Sequence, residues 1–332
     1  MVRAKYWRES GDGRVACELC PQACVIAEGG SGICLGRVNR DGVLYAENYG
    51  ECVSAAIDPI EKKPLYHVCP GEQVLSVACN GCNLRCDFCQ NWTIAQTKVA
   101  TTPLSPEALV ELALEKASFG IAYTYTEPLV WFEYLLAAGA LAHERGLKNI
   151  LVTNGIINEE PLKELLPLVD AMNIDLKSMN GGFYREYCHV DGLETVKRTI
   201  RLASEATFIE VTNLMIPDLN DSEEETRELV AFLADVNPAT PLHFSRYYPT
   251  HKMAVEPTPG ETLRHAKEIA REKLHYVYLG NLGPGEDSNT YCPGDGALLV
   301  ERTGYAVSVV GIEDGACASC GRPADFIWCE GR

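Results

Sequence analysis

Short apolar runs recur through the middle of the chain, separated by longer stretches whose apolar residues fall three or four apart. Residues 74–77, 121–125, 150–153, 171–176, 208–214, 242–245 and 276–279 have the length and character of buried strands. Between them Leu109, Leu112 and Ala113 share one helical face. Further helices are predicted over 131–144, 158–166, 193–203, 222–235 and after 258. Start signals accompany several of them. Ser105 with Pro106 is a cap followed by a first-position proline, Asn158 is a cap, and Ser222 with Glu225 is a capping box. Thr258, Pro259 and Glu261 form another box with a proline. Strands thus alternate with helices about six times, which argues for parallel strands joined by right-handed crossovers. The units are too few for a closed eight-fold barrel. The expected fold class is α/β, an open partial (β/α)6 TIM-like barrel over residues 74–290.

The two ends of the chain have a different texture. Residues 1–73 read as a Cys-rich module with Cys17, Cys20, Cys24 and Cys34 in a C-x2-C-x3-C-x9-C pattern. Four cysteines so spaced suit a tetrahedral zinc site or an auxiliary iron–sulfur cluster, and the spacing does not choose. The run from Asp58 to His67 holds two prolines and reads as an extended, solvated linker. Residues 291–332 read as a hairpin, 297–302 against 305–310, turning at Thr303-Gly304. Cys292, Cys317, Cys320 and Cys329 around it suggest a zinc ribbon. Asp295 stands where a ribbon would carry cysteine, and is itself an alternative oxygen ligand.

Composition narrows the class. The 332 residues carry a formal charge of −17, which disfavours non-specific binding to nucleic acid. No apolar run approaches the ~18 residues of a membrane span, and the polar start lacks the apolar core of a secretory signal. A cytoplasmic protein with no membrane role is expected. In that setting the 15 cysteines read as metal ligands rather than disulfides.

The chemistry concentrates in the loop that follows the first strand, where Cys82, Cys86 and Cys89 form a C-x3-C-x2-C set. Three thiolates so close read as ligands of one [4Fe–4S] cluster, with one iron left free. Cys79 lies just upstream and on paper supplies a fourth ligand. Four ligands would make an electron-transfer or structural centre, and three a catalytic one. In barrels of this kind the working residues stand at the carboxyl ends of the strands. Those ends present Thr126 and Glu127, Asn154, Asp175 and Lys177, and His243. S-adenosylmethionine (SAM) is the natural ligand of an open iron, through its amino and carboxylate groups. Glu127 suits its ammonium, Asn154 or Asp175 its ribose, and Lys177 its carboxylate or the substrate.

These motifs carry a resemblance. Cys82-x3-Cys86-x2-Cys89, with Phe88 before the last cysteine, resembles the radical SAM signature. Gly81-Cys82-Asn83-Leu84 and Cys89-Gln90-Asn91-Trp92 resemble the activases related to pyruvate formate-lyase activating enzyme. Over nearly its whole length the chain is similar to the radical SAM enzyme of the AmmeMemoRadiSam system. That likeness rests on Cys17-x-Leu19-Cys20-Pro21, Asp58 through His67, the cysteine loop, Tyr125-Thr126-Glu127-Pro128, Asp175-Leu176-Lys177 and Tyr291-Cys292-Pro293. It implies that Cys82, Cys86 and Cys89 bind the cluster without Cys79, and that the Glu127 segment is the cofactor-amino-binding loop. It makes 58–67 part of the family pattern. It also implies a flavodoxin- or ferredoxin-like electron donor, and Memo-like and AMMECR-type partner proteins. The chain departs from the family at Asp295.

Three functions follow as expectations. The first is a radical enzyme that cleaves SAM to a 5′-deoxyadenosyl radical, which takes hydrogen from an unidentified substrate. The second is an activase of a glycyl-radical enzyme. The third is a non-catalytic iron–sulfur and zinc protein.

Overall fold

The computed structural model describes residues 1–283 and 286–329. Its centre is seven parallel strands: β1 Gln73–Cys79, β2 Gly120–Tyr123, β3 Lys148–Thr153, β4 Ala171–Asp175, β5 Phe208–Met215, β6 Leu242–Arg246 and β7 Val277–Gly280. They stand side by side in sequence order. Ala122 lies opposite Ser76 and Ile150, and His243 opposite Thr212 and Tyr278. Six helices make the crossovers: α1 Pro106–Glu115, α2 Phe132–Glu144, α3 Glu159–Leu165, α4 Leu193–Ala206, α5 Glu223–Val236 and α6 Gly260–Arg271. Each buries one apolar stripe against the strands, as α2 does with Phe132, Leu135, Ala138 and Ala142. The wall is open: β7 ends one side, and the other continues past β1 into the antiparallel strand Glu51–Pro59. The expected α/β partial barrel is therefore the fold.

Local signals fare unevenly. Ser105 caps α1, its Oγ accepting from Ala108 N at 3.2 Å, and Ser222 caps α5 likewise from Glu225 N. The expected box does not close, because Glu225 turns away to accept from the Ser178 hydroxyl and from Met179 N at 2.8 Å. Thr258 caps nothing: its hydroxyl donates to Met215 O at 2.6 Å and accepts from Tyr247 N at 3.0 Å. Asn158 makes no cap bond and instead donates to Glu18 O at 2.7 Å. In each case a tertiary partner outcompetes the local one.

Both end segments are built into the barrel. A cut at residue 73 divides one sheet, since Glu51–Pro59 pairs along the whole of β1. The run from Asp58 to His67 is not a solvated linker: Ile60, Glu61, Lys63, Leu65 and His67 are all buried. The C-terminal hairpin is present, Leu298–Thr303 against Ala306–Val309. Its tail returns to the barrel floor, where Ile327 bridges to Val68 and Cys329 is disulfide-bonded to Cys69. Cys329 is thereby removed from the proposed zinc set.

The floor explains a second correction. His243 faces into the barrel, but it is 3% exposed and donates no group to the cavity above. Its Nε2 pairs with Glu210 Oε2 at 2.6 Å, and its ring packs on Tyr66 and Tyr278. His67 fills the same floor, bonded through Nε2 to the Tyr278 hydroxyl at 2.6 Å and through Nδ1 to Asp325 O at 2.7 Å. Both histidines pack in the floor, His67 with both ring nitrogens bonded and His243 bonded through Nε2.

Candidate active site and cysteine centres

The loop after β1 places Cys82, Cys86 and Cys89 in one cavity of about 330 Å³. The ends of other strands and the loops after them add Thr126, Glu127, Asn154, Asp175 and Lys177 to its wall. The expected strand-end residues therefore meet, His243 excepted. Cys79, still within β1, does not line the cavity. Its thiol sits 3.9 Å from the Thr126 hydroxyl, which itself donates to the Cys79 carbonyl at 2.8 Å.

The loop is held from several sides. Arg85 N donates to Cys188 O at 3.2 Å and Asp87 N to Tyr187 O at 3.0 Å. Asn83 Nδ2 donates to Ile156 O at 2.7 Å. Asn154 Nδ2 donates to Asn83 Oδ1 at 2.9 Å and stands 3.6 Å from Cys82 Sγ. Gly81 opens the loop at φ +100°, with the Cys34 carbonyl 1.9 Å from where a β-carbon would stand. Only glycine fits there.

Glu127 is buried, and burial raises its carboxyl to about 7. Its Oε1 accepts from Leu129 N at 3.0 Å and Thr153 Oγ1 at 2.6 Å, and its Oε2 from Asn154 N at 2.8 Å. A carboxylate has about four acceptor sites. Three are taken in clasping the ends of β2 and β3, so one is left to face a ligand. Lys177 and Asp175 pair at 2.8 Å. Burial works against the Lys177 charge, but Asp175 and Cys86 outweigh it and hold its pKa well above normal.

Burial raises the Cys82 thiol, and raises Cys89 to about 11. A hydrogen bond with Cys188, then burial, raises Cys86. Metal binding must therefore displace protons. Cys188 was not singled out in the sequence, since nothing in its own segment signals chemistry. The Lys62–Lys63 pair was passed over too, yet both line the cavity. Asp58 binds Lys62 Nζ at 2.7 Å and Lys63 Nζ at 2.8 Å, and accepts from the Tyr125 hydroxyl. Tyr125 itself takes φ +66°, a left-handed strain common at working sites.

The two outer cysteine sets also assemble. Cys17, Cys20, Cys24 and Cys34 line one small cavity with Arg37, Asn83 and Ile156. Cys292, Asp295, Cys317 and Cys320 bring their ligand atoms within 4.8 Å of one another. This C-terminal cluster can bind a metal. Asp295 thus takes a place in the group that the sequence offered to Cys329.

Residues 76–233 match the model of the Radical SAM superfamily. Over those residues the chain carries a radical SAM domain, with homology to pyruvate formate-lyase activating enzyme. It is 45% identical over 336 residues to the uncharacterized protein MJ0808 of Methanocaldococcus jannaschii, spanning 98% of this chain and 100% of that one. It is 23% identical to the pyruvate formate-lyase 1-activating enzyme of Escherichia coli K12, over 59% of this chain and 88% of that one. Two solved structures share the fold. One is a radical SAM methyltransferase from Sphaerobacter thermophilus, at 16% identity and TM-score 0.50, covering 63% of this chain and 66% of that one. The other is Streptococcus suis SuiB bound to S-adenosylmethionine, at 14% identity and TM-score 0.51, covering 64% and 50%.

A radical SAM domain implies a [4Fe–4S] cluster and SAM, and the residues here fit both. Three thiols share one cavity wall, with Cys79 turned away. Thr212 lines the same cavity, and its buried hydroxyl has no hydrogen-bond partner. Among the described residues no helix is long and apolar enough to cross a membrane.

Proposed function

We propose that this chain is a radical SAM enzyme acting on a substrate held in the cavity above Lys63 and Lys177. When bound, a [4Fe–4S] cluster with one iron free of cysteine would supply the electron for reductive cleavage of SAM to methionine and a 5′-deoxyadenosyl radical, which would take hydrogen from the substrate. Cys82, Cys86 and Cys89 hold the cluster. Glu127 offers its one remaining acceptor site to the ammonium of SAM. The Thr212 hydroxyl and Asn154 orient its polar groups. Lys177, kept charged by Asp175, offers a cation to a carboxylate. Lys62 and Lys63, neutralised in part by Asp58, give the opposite wall a second basic edge.

The observation that carries this reading is the three-cysteine wall with the nearby thiols of Cys79 and Cys188 off it. Four-cysteine ligation, which a purely electron-carrying protein would need, lacks its ligand on that wall. A second reading, an activase of a glycyl-radical enzyme, draws on the 23% identity with activating enzymes. The proposal extends to a flavodoxin- or ferredoxin-like electron donor, to Memo-like and AMMECR-type partner proteins, and to the cytoplasm as the place of action.

The test is anaerobic reconstitution, reduction and addition of SAM. 5′-Deoxyadenosine is expected, together with a changed cluster spectrum. The absence of both would sink the reading. Cys79→Ala is expected to keep its SAM-responsive cluster, whereas Cys86→Ala loses it.

A further inference from the structure

The N-terminal cysteines pose a question that the radical chemistry does not answer. They could hold one zinc ion or an iron–sulfur cluster, and the spacing alone is neutral. A tetrahedral zinc with bonds of about 2.3 Å keeps its sulfurs roughly 3.8 Å apart. Among the described residues the one group of three or more metal-ligating atoms lying within 4.8 Å of one another is the C-terminal quartet. No three sulfurs of Cys17, Cys20, Cys24 and Cys34 meet that limit. Neither do those of Cys82, Cys86 and Cys89, the loop that holds a cluster in this superfamily. In missing that limit the N-terminal sulfurs side with the cluster loop and not with the C-terminal quartet.

Yet they face one shared space. All four line a single cavity, which admits the centre of a water molecule over only about 20 Å³. That is room for a compact inorganic group and too little for an organic cofactor. Cys17 and Cys34 are each 7% exposed. Backbone N–H groups already point at the sulfurs: Leu19 at Cys17, Gln22 at Cys20, Gly36 and Arg37 at Cys34. Such donors stabilise cluster thiolates.

Arg37 supplies an independent sign. It is 1% exposed and lines the cavity. One nitrogen, Nη1, binds Glu133 Oε1 at 2.6 Å. Its Nε and Nη2 are buried with no hydrogen-bond partner. Orphaned guanidinium donors beside four thiols call for an anionic acceptor within the cavity. The sulfides and thiolates of a cluster provide one.

We infer that Cys17, Cys20, Cys24 and Cys34 hold a second iron–sulfur cluster of the [4Fe–4S] type, bordered by Arg37. With all four irons ligated by cysteine, it has no open position and binds no SAM. It adjoins the first centre: the Cys34 carbonyl seats Gly81, Gln22 Nε2 donates to Asn83 O at 2.8 Å, and Asn83 lines the N-terminal cavity. A one-electron group thus stands one residue's contact from the catalytic loop.

The full chain carrying Cys82→Ala, Cys86→Ala and Cys89→Ala tests this after anaerobic reconstitution with iron, sulfide and zinc together. About four iron and four sulfide per chain are expected, with a reducible cluster signal that SAM leaves unchanged. An iron-free chain whose zinc falls by about one on further adding Cys24→Ala overturns the inference. Should the triple variant fail to fold, the wild-type chain decides. About eight iron supports the inference and about four overturns it. The iron count stands apart from SAM cleavage, so failure of the radical reading and failure of this one are separable.

Discussion

The N-terminal and C-terminal cysteine sets look alike as strings and differ as places. Each offers four donors near a short antiparallel sheet. The N-terminal four line a buried cavity beside the Arg37 guanidinium, whose Nε and Nη2 lack hydrogen-bond partners. The C-terminal four are drawn within 4.8 Å of one another, with Asp295 and Cys320 exposed. Their attachments differ too. The N-terminal module is keyed into the catalytic loop through Gly81 and Asn83. The C-terminal tail meets the barrel floor, through His67, Val68 and Cys69, none of which lines the cavity of Cys82, Cys86 and Cys89. What a cysteine set does thus depends on how far its scaffold holds the sulfurs apart and on what the set touches.

The largest effect expected from testing this contrast is on the Arg37–Glu133 pair. Arg37→Leu leaves a buried carboxylate unpaired and should cost about 4 kcal/mol in anaerobic urea unfolding. Adding Glu133→Leu should recover part of that loss. Next is Gly81→Ala, where a β-carbon would drive into the Cys34 carbonyl. A cost of about 3 kcal/mol is expected, with the N-terminal module released to proteolysis. A module left protected would break the claim that Gly81 keys it to the cluster loop.

The C-terminal attachment should respond to acid. Burial lowers the His67 pKa from 6.5 to about 4, so the folded chain holds this imidazole neutral. Above pH 6.5 both folded and unfolded states are neutral, and nothing is lost. As pH falls from 6.5 to 4 the unfolded state takes up a proton first, and stability drops by up to about 3 kcal/mol. His67→Phe should flatten that part of the pH–stability curve, though a baseline loss from its unpaired partners is expected at every pH. Smallest of all, Asp295→Cys should tighten zinc at the C-terminal set, read as slower metal loss to a chelator. Iron content and SAM cleavage should be unchanged, and a change in either would undo the separation of the two ends.

Much of this was legible in the residues, and particular failures show the limit. Alternating runs marked the barrel because strand and helix periodicities are local properties. The Cys82–Cys89 loop announced its chemistry because ligands three and four apart must share one centre. Glu127, Asn154, Asp175 and Lys177 followed from their places at strand ends. His243 stood in the same kind of place and proved a floor residue, because it lies one inward position below Ser245, which lines the cavity. Lys63 and Asp58 were missed because nothing local says that an apparent linker is buried. Thr258 and Asn158 had the right residues for caps, yet found better partners across the fold.

The sequence by itself determined the order of elements, the cluster loop and the set of cysteines available to metal, all of which depend on neighbours a few residues apart. Only the tertiary structure decided that Cys329 leaves its set for Cys69 and that Cys79 faces away from the cavity. Tertiary structure alone also decided that the four N-terminal cysteines line one small cavity without three of their sulfurs lying within 4.8 Å of one another. Those outcomes depend on distances between segments up to 260 residues apart, and no local spacing encodes them.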